Sequence, residues 1–160
     1  MMKTGLLDFA EHTRSFNELF VMTFGTRVRT LQDVHEPLHQ LETNLKSLGV
    51  QGTSVLFDAL VSGLRKVGGR EPERKALLVF TDGIDTASKA GFKDVLLEAQ
   101  KAGALLYFIP IGSRILIDEN TINSLAQETG GRVIYLKKGD RVPPAMSMRS
   151  IATILRKTHR

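Results

Sequence analysis

Cysteine and tryptophan are both absent from this 160-residue chain. Without cysteine, disulfide bonds and thiolate metal sites are excluded, and the sequence gives no indication of the redox compartment. Only two tyrosines are present, and no aromatic residues alternate with basic ones. The chain therefore lacks the stacking surface of a protein that binds single-stranded nucleic acid, and we expect no nucleic-acid partner.

Long apolar runs are also missing. No segment approaches the roughly 20 apolar residues that a membrane-spanning helix requires, so we expect no membrane insertion. After Lys3, the apolar stretch from Gly5 to Leu7 ends at Asp8, which is too short for a secretory signal. These residues predict no export signal, and they leave the compartment unassigned.

The composition is that of a globular protein with one core. Of the 160 residues, 42% are hydrophobic, which is enough for one buried core and too few for two ordinary domains. We therefore predict a single domain over residues 1–160. The net charge of +5 permits an acidic partner, but Lys and Arg are dispersed among acids except near the C-terminus, as on a solvated surface.

The stretch KALLVFTDGIDT, residues 75–86, organises the predicted fold. Ala76 to Phe80 is an unbroken apolar run, typical of a strand buried on both faces of a parallel sheet. Asp82 would then lie at the carboxyl end of a central strand, where open α/β sheets bind ligands. The alternative is that Asp82 only caps a turn in which Gly83 has a positive φ.

Apolar spacing predicts alternating strands and helices along the rest of the chain. The predicted elements, in order, are a helix within residues 5–16, a hairpin of Glu18 to Phe24 with Arg27 to Leu31, a helix over 35–48 capped by Asp33, a helix over 55–67, a helix capped by Ser88 and closed by Gly103, a strand from Leu105 to Ile111, a helix from Asp118, a strand from Arg132 to Leu136, and a final helix carrying Met148, Ile151, Ala152, Ile154 and Leu155.

This alternation predicts a three-layer, doubly wound α/β fold. We expect a mainly parallel sheet with one antiparallel edge hairpin strand, and helices on both faces.

One motif matches a zinc peptidase literally. His35, Glu36 and His39 form H-E-x-x-H, in which two histidines on one helix face bind zinc and the glutamate acts as general base. However, Pro37 favours a helix that begins at or just before it, which would leave His35 outside the regular spiral. The competing interpretation is a solvent-facing helix start.

A second motif places hydroxyls before a helix. Thr53 and Ser54 precede a helix whose first turn contains Asp58, and such hydroxyls usually cap the helix. Alternatively, a loop hydroxyl and the Asp82 carboxylate are hard oxygen donors of the kind that magnesium binds. No phosphate-binding loop, dinucleotide fingerprint or nucleophile elbow occurs, so an enzyme would have to work without them.

The segments ELFVMTFGTRVRTL, QGTSVLFDAL, RKALLVFTDGIDTAS, AGALLYFIPIG and LAQETGGRVIYL, in this order, resemble a von Willebrand factor type A (VWA) domain of bacterial form, over about residues 5 to 156. The resemblance implies a metal-ion-dependent adhesion site, in which Mg²⁺ or another divalent cation bridges the protein to an acidic group of a protein partner. Thr53 matches the family's metal-site threonine, and Asp82 matches the carboxylate after its fourth strand. The other residues that we expect to contact the partner, at the same edge of the sheet, are Ser54, Gly83, Asp85 and Thr86.

The sequence departs from the family at its first strand. That strand ends in Asp-x-Ser-x-Ser, which supplies three of the metal-site residues, and no such sequence occurs here. The chain thus resembles a domain truncated at its N-terminus, with a partial site that binds a divalent cation weakly. The missing strand would lie between the hairpin and the organising strand, so we expect rearrangement or self-association to close the gap.

Three functions are compatible with these observations. The favoured one is a non-enzymatic, adhesion-type protein-binding module whose partner meets the loops around Thr53 and from Asp82 to Ser88. The second is a zinc metallopeptidase using His35, Glu36 and His39. The third is a structural remnant that has no ligand.

Overall fold

The computed structural model describes residues 17–33, 36–37, 39–40, 43–44, 53–69, 74–110, 114–135 and 150–156. Their elements are β1 (Asn17–Phe24), β2 (Val28–Gln32), α1 (Leu56–Gly68), β3 (Arg74–Thr81), α2 (Phe92–Ala102), β4 (Ala104–Pro110), a 3₁₀ turn (Arg114–Leu116), α3 (Glu119–Thr129), β5 (Arg132–Val133) and β6 (Ser150–Arg156). The predicted helix within residues 5–16 and much of that over 35–48 lie outside this set.

The strands form one six-stranded sheet in the order β2-β1-β6-β3-β4-β5. The β1–β2 hairpin is antiparallel, and β3, β4 and β5 pair in parallel, so the α/β class and the hairpin are confirmed. The organising strand β3 lies inside the sheet as predicted. Val79 and Phe80, which point to opposite faces, are 0% and 3% exposed, so β3 is buried on both sides.

The final helix was a wrong prediction, because residues 150–156 form β6. This strand pairs antiparallel with β1, from Asn17↔Arg156 to Thr23↔Ser150, and with β3, from Arg74↔Arg156 to Phe80↔Ser150. Its short apolar sequence SIATILR is compatible with either structure, and its β-branched residues favour a strand. The position between β1 and β3 also offers two rows of backbone donors and acceptors, which only a strand can satisfy.

β6 closes the gap that the sequence left between the hairpin and the organising strand. Rearrangement within one chain therefore fills the position of the family's first strand, which this sequence lacks. Because β6 is antiparallel to both neighbours, β1 runs in the same direction as β3. Three of the five strand pairings are consequently antiparallel, and the sheet is less parallel than predicted.

The three described helices share one apolar cluster with one face of the sheet. Each helix contributes a stripe of apolar side chains at helical spacing, which packs against alternate residues of β1, β3 and β4. The cluster includes Phe20, Met22, Leu56, Leu60, Leu64, Leu77, Val79, Leu106, Phe108, Ile122 and Leu125, each at most 2% exposed. On the other face, Val21, Phe80 and Ile109 are also buried.

The helix boundaries follow local signals at most positions. The predicted start of α3 at Asp118 is confirmed to within one residue: Asp118 is its N-cap, and its carboxylate accepts a hydrogen bond from the backbone N–H of Thr121 at 3.1 Å. The end of α2 at Gly103 is confirmed as well, and α3 ends in the same way at Gly130. The strand predicted from Arg132 to Leu136 is short, since β5 contains only Arg132–Val133. Within the described residues, no helix has the length and apolarity that a membrane crossing requires.

Candidate functional site

Two loops meet at the carboxyl end of β3. The backbone N–H of Ser54 donates to Thr86 Oγ1 at 2.9 Å, and the backbone N–H of Thr86 donates to the carbonyl oxygen of Ser54 at 2.9 Å. The loop before α1 is therefore joined by its backbone to the loop after β3. We call the surface formed by residues 53–55 and 82–88 the rim.

The rim caps helix α1 from outside the helix. The N-cap residue Val55 has no side-chain acceptor, and neither the Thr53 nor the Ser54 hydroxyl serves as the cap that the sequence suggested. Instead, Asp85 Oδ1 accepts from the backbone N–H of Phe57 at 3.1 Å. The first backbone N–H groups of an α-helix have no acceptor within the helix itself, so a neighbouring loop must supply one.

Ser88 provides the second acceptor, which corrects another prediction. Its hydroxyl oxygen accepts from the backbone N–H of Asp58 at 3.0 Å and donates to Asp85 Oδ1. Ser88 therefore caps α1 and not α2, whose N-cap is Gly91. At that position the Asp94 carboxylate accepts from the Gly91 N–H at 2.7 Å, so α2 has its own acceptor.

The contact between the loops is reciprocal. Asp58, in the first turn of α1, accepts hydrogen bonds from the backbone N–H groups of Lys89 at 3.1 Å and Ala90 at 2.8 Å. The loop after β3 thus supplies a carboxylate for a backbone donor of α1, and α1 supplies one for the backbone donors of Lys89 and Ala90. The carboxylates of Asp58 and Asp85 hold the rim together, because hydrogen bonds from backbone N–H groups to ionised acceptors are among the stronger ones.

Asp82 lies at the end of β3, as predicted, and shapes a tight turn. Its Oδ1 accepts from the backbone N–H of Ile84 at 3.0 Å, and Thr81 Oγ1 accepts from that of Gly83 at 3.1 Å. Gly83 has a φ of +80°, and a Cβ there would lie 2.7 Å from the carbonyl oxygen of Asp118. The turn-capping interpretation therefore accounts for one oxygen of Asp82, and the side chain remains half-exposed.

A third loop joins the rim, and sequence reasoning missed it. The exposed Thr53 hydroxyl donates to Thr26 Oγ1 at 2.9 Å, and the backbone N–H of Val55 donates to the Gly25 carbonyl at 3.0 Å. Gly25 and Thr26 form the turn of the β1–β2 hairpin. The feature that could have predicted this contact is the common direction of β1 and β3, which brings their carboxyl ends to the same edge of the sheet. That common direction is set by β6.

Ser54 carries the one buried, unpartnered side-chain polar atom among the described residues. The residue is 0% exposed, and its Oγ makes no hydrogen bond. Leaving such a group unpaired costs about 1–3 kcal/mol. Its backbone groups are both bonded to Thr86, so the polar cost falls on the hydroxyl alone.

The donor set does not complete a magnesium site. Magnesium requires near-octahedral coordination by oxygen, and Asp58 and Asp85 already accept backbone N–H groups. The hydroxyl of Thr53 and the carboxylate of Asp82 leave most positions to water. In the part of the chain that the structure describes, no cluster of three or more His, Asp or Glu residues is placed to hold a metal ion.

The zinc motif falls partly outside the described residues, since His35 is not among them. Glu36, its intended general base, has a capping role. Its Oε2 accepts from the backbone N–H of Asp33 at 2.9 Å, while its own N–H donates to the Asp33 carbonyl at 3.2 Å. His39 is exposed. The contacts of Glu36 are those of a helix start, as the competing interpretation expects.

Comparison with known proteins identifies the fold. No protein-family model and no curated protein matches the sequence. Among solved structures, the VWA domain of SpRpn10 matches with a TM-score of 0.50 and 15% identity, over 79% of this chain and 66% of that chain. The chain thus spans slightly less than two thirds of that structure. At this identity the likeness shows the fold alone, and the chain has a VWA fold.

A second solved structure, an uncharacterized membrane spanning protein from Vibrio fischeri, shares 18% identity over 82% of this chain and 73% of that one. Its TM-score of 0.36 is too low to support an argument about fold or function.

Proposed function

We propose that this chain is a non-enzymatic protein-interaction module of VWA type and that its partner binds at the rim. The general role follows from the fold, because VWA similarity suggests an interaction module. The observation that carries the assignment to the rim is the reciprocal capping between Asp85 and Phe57 on one side and Asp58 and Ala90 on the other.

These hydrogen bonds preorganise the rim, because they fix its backbone before a partner binds. A loop that is already fixed loses little conformational entropy when a partner binds, which leaves more of the contact energy for affinity. Thr53 and Thr86 are exposed there, and Asp82 and Asp85 are half-exposed. The carboxyl edge of an open α/β sheet is also where such folds bind their ligands.

We further propose that the interaction does not require a divalent cation. The residue types at Thr53 and Asp82 support a partial site, but the two neighbouring carboxylates of Asp58 and Asp85 are committed to backbone donors. A partner's acidic group, which the family resemblance implies, would need a cation to bridge it to Asp82. Without that cation, two carboxylates facing each other repel.

Site-specific photo-cross-linking tests the proposal. A photoreactive residue is placed at the exposed rim position Thr86 and, as a matched control, at the exposed Gln127 near the end of α3. In extracts of the source cells, with and without EDTA, we expect one defined partner to cross-link at Thr86 only, with equal yield in both. Equal labelling at Gln127, or no product at Thr86, would contradict the proposed rim.

Calorimetric titration with MgCl₂ tests the cation separately. We expect the wild-type chain and Asp82→Ala to give the same weak response, because two protein donors hold magnesium poorly. Tight binding by the wild type that Asp82→Ala abolishes would restore the metal-dependent mechanism.

A further inference from the structure

The most exposed large apolar side chains of the described residues are neighbours in sequence. Ile115 is 92% exposed and Leu116 is 64% exposed, both in the 3₁₀ turn after β4. Single exposed apolar residues are common on protein surfaces and need no explanation. Two adjacent β- and γ-branched side chains at such exposure form an apolar projection, which is the kind of feature that marks interaction sites.

This projection lies next to the rim. Thr81 at the end of β3 is in register with Pro110 at the end of β4, so the turn leaves the sheet at the same edge as Asp82. Two residues after Leu116, the backbone N–H of Asp118 donates to the carbonyl oxygen of Asp82 at 2.8 Å. The turn that carries the apolar projection is therefore joined to the rim by its backbone.

The turn is held at its far end by the core. Ile117, which follows the projection directly, packs against the apolar cluster of the three helices. Asp118 then caps α3 through its side chain and bonds the Asp82 loop through its backbone. An exposed apolar pair attached to a fixed turn loses little entropy on binding, as a contact residue should.

The charges beside the projection are mainly acidic. Among the residues whose exposure the structure describes, Asp82 is half-exposed, and Asp118 and Glu119 are exposed. The two exposed carboxylates of Asp118 and Glu119 favour a basic partner segment. They also disfavour an anionic membrane surface, which attracts clusters of lysine and arginine.

We propose that Ile115 and Leu116 are the anchor of the partner contact, and that the partner is a protein segment with an apolar pocket or side chain flanked by lysine or arginine. This inference rests on the proposed function, since it takes the rim as the binding surface. It names the partner's chemistry, which the VWA fold by itself leaves open.

Peptide selection tests this partner chemistry. A phage-displayed library of random peptides is selected on the intact chain, and the affinity of the enriched peptides is then measured on the intact chain and on the double variant Ile115→Ser/Leu116→Ser. We expect enriched peptides that combine Leu, Ile or Phe with Lys or Arg. Their affinity should fall about tenfold or more on the double variant and also decrease on Glu119→Lys.

Leu97→Ser is the matched control, because Leu97 is 50% exposed on α2 and is not part of the projection. Its affinity for the selected peptides should equal that of the wild type. Circular dichroism verifies that the variants are folded, which is expected since the replaced side chains are exposed. Unchanged peptide affinity in a folded double variant overturns the inference.

The remaining outcomes separate this inference from the proposed function. An acidic consensus that needs Mg²⁺ and Asp82 would overturn the basic partner and support the cation-dependent form of the rim. Peptides that bind Thr53 and Thr86 but ignore Ile115 would retain the rim and overturn the anchor. Self-association that is lost in the double variant would show that Ile115 and Leu116 bind a second copy of this chain. That outcome also overturns the inference.

Discussion

Local sequence patterns predict the parallel half of the sheet, whereas the antiparallel half depends on contacts between residues far apart in the sequence. β3, β4 and β5 follow one another along the chain through α2 and α3, and each strand pairs with the next one in sequence. In the antiparallel half, β6 pairs with β1, so that Arg156 lies opposite Asn17. Local patterns therefore suffice where neighbours in sequence are also neighbours in space.

The two halves depend on each other through β6. Its register with β1 and its register with β3 each cover seven residues, from Ser150 to Arg156. Without a strand there, the carboxyl edge of β1 would have no fixed position relative to that of β3. The contacts of Thr53 with Thr26 and of Val55 with Gly25 join the two halves at the rim.

The largest effect is expected from breaking the antiparallel half with Thr153→Pro. Thr153 lies opposite both Phe20 and Leu77, so proline removes a ladder donor inside the sheet and should destabilise the protein by about 3 kcal/mol. Urea denaturation measures the change. Glu119→Pro is the control, since the first position of a helix tolerates proline. Equal stability of Thr153→Pro and wild type would contradict the placement of β6.

A slightly smaller effect is expected in the parallel half from Gly83→Ala. Gly83 has a φ of +80°, and the added Cβ would meet the Asp118 carbonyl at 2.7 Å and Ile122 at 2.8 Å. We expect a loss of about 2–3 kcal/mol in thermal or urea unfolding. At Gly91 the φ is −111° and the nearest atom would be 3.7 Å away, so Gly91→Ala should cost less. The reverse order would argue against this turn geometry.

The smallest effect compares a cap from another loop with a local cap. Asp85→Ala should destabilise by about 2 kcal/mol, because it removes the acceptor of Phe57 N–H and the partner of Ser88. Asp118→Ala removes the local cap of α3 and should cost about 1 kcal/mol. Amide hydrogen exchange should speed up at Phe57 in the first variant only. Unchanged amide exchange at Phe57 would contradict the capping of α1 by Asp85.

Much of the candidate site could be predicted from the sequence. The apolar run before Asp82 predicted a buried strand with a carboxylate at its carboxyl end, and Gly83 predicted the positive φ of the turn. The meeting of the loops at Ser54 and Thr86 also followed, since both lie at the carboxyl edge of a doubly wound sheet. These inferences needed only residue type and strand direction.

The partners of individual side chains were not readable. Ser88 precedes α2 by four residues in sequence, and a local rule assigned it to that helix, yet it caps α1. Likewise, Thr26 lies in the hairpin turn, and its contact with Thr53 depends on how the hairpin is placed beside β3. A side chain bonds the donor that folding brings nearest, and sequence distance does not specify which donor that is.

Local sequence patterns were sufficient to predict the layered α/β class, the strand β3 with its acidic turn, the three helices and most of their ends. Hydrophobic periodicity and capping residues act within a few residues, so they operate before the chain is folded. Only the tertiary structure decided that residues 150–156 form a strand between β1 and β3. A short apolar segment suits a helix or a strand, and the unpaired backbone groups on both sides of that position select the strand.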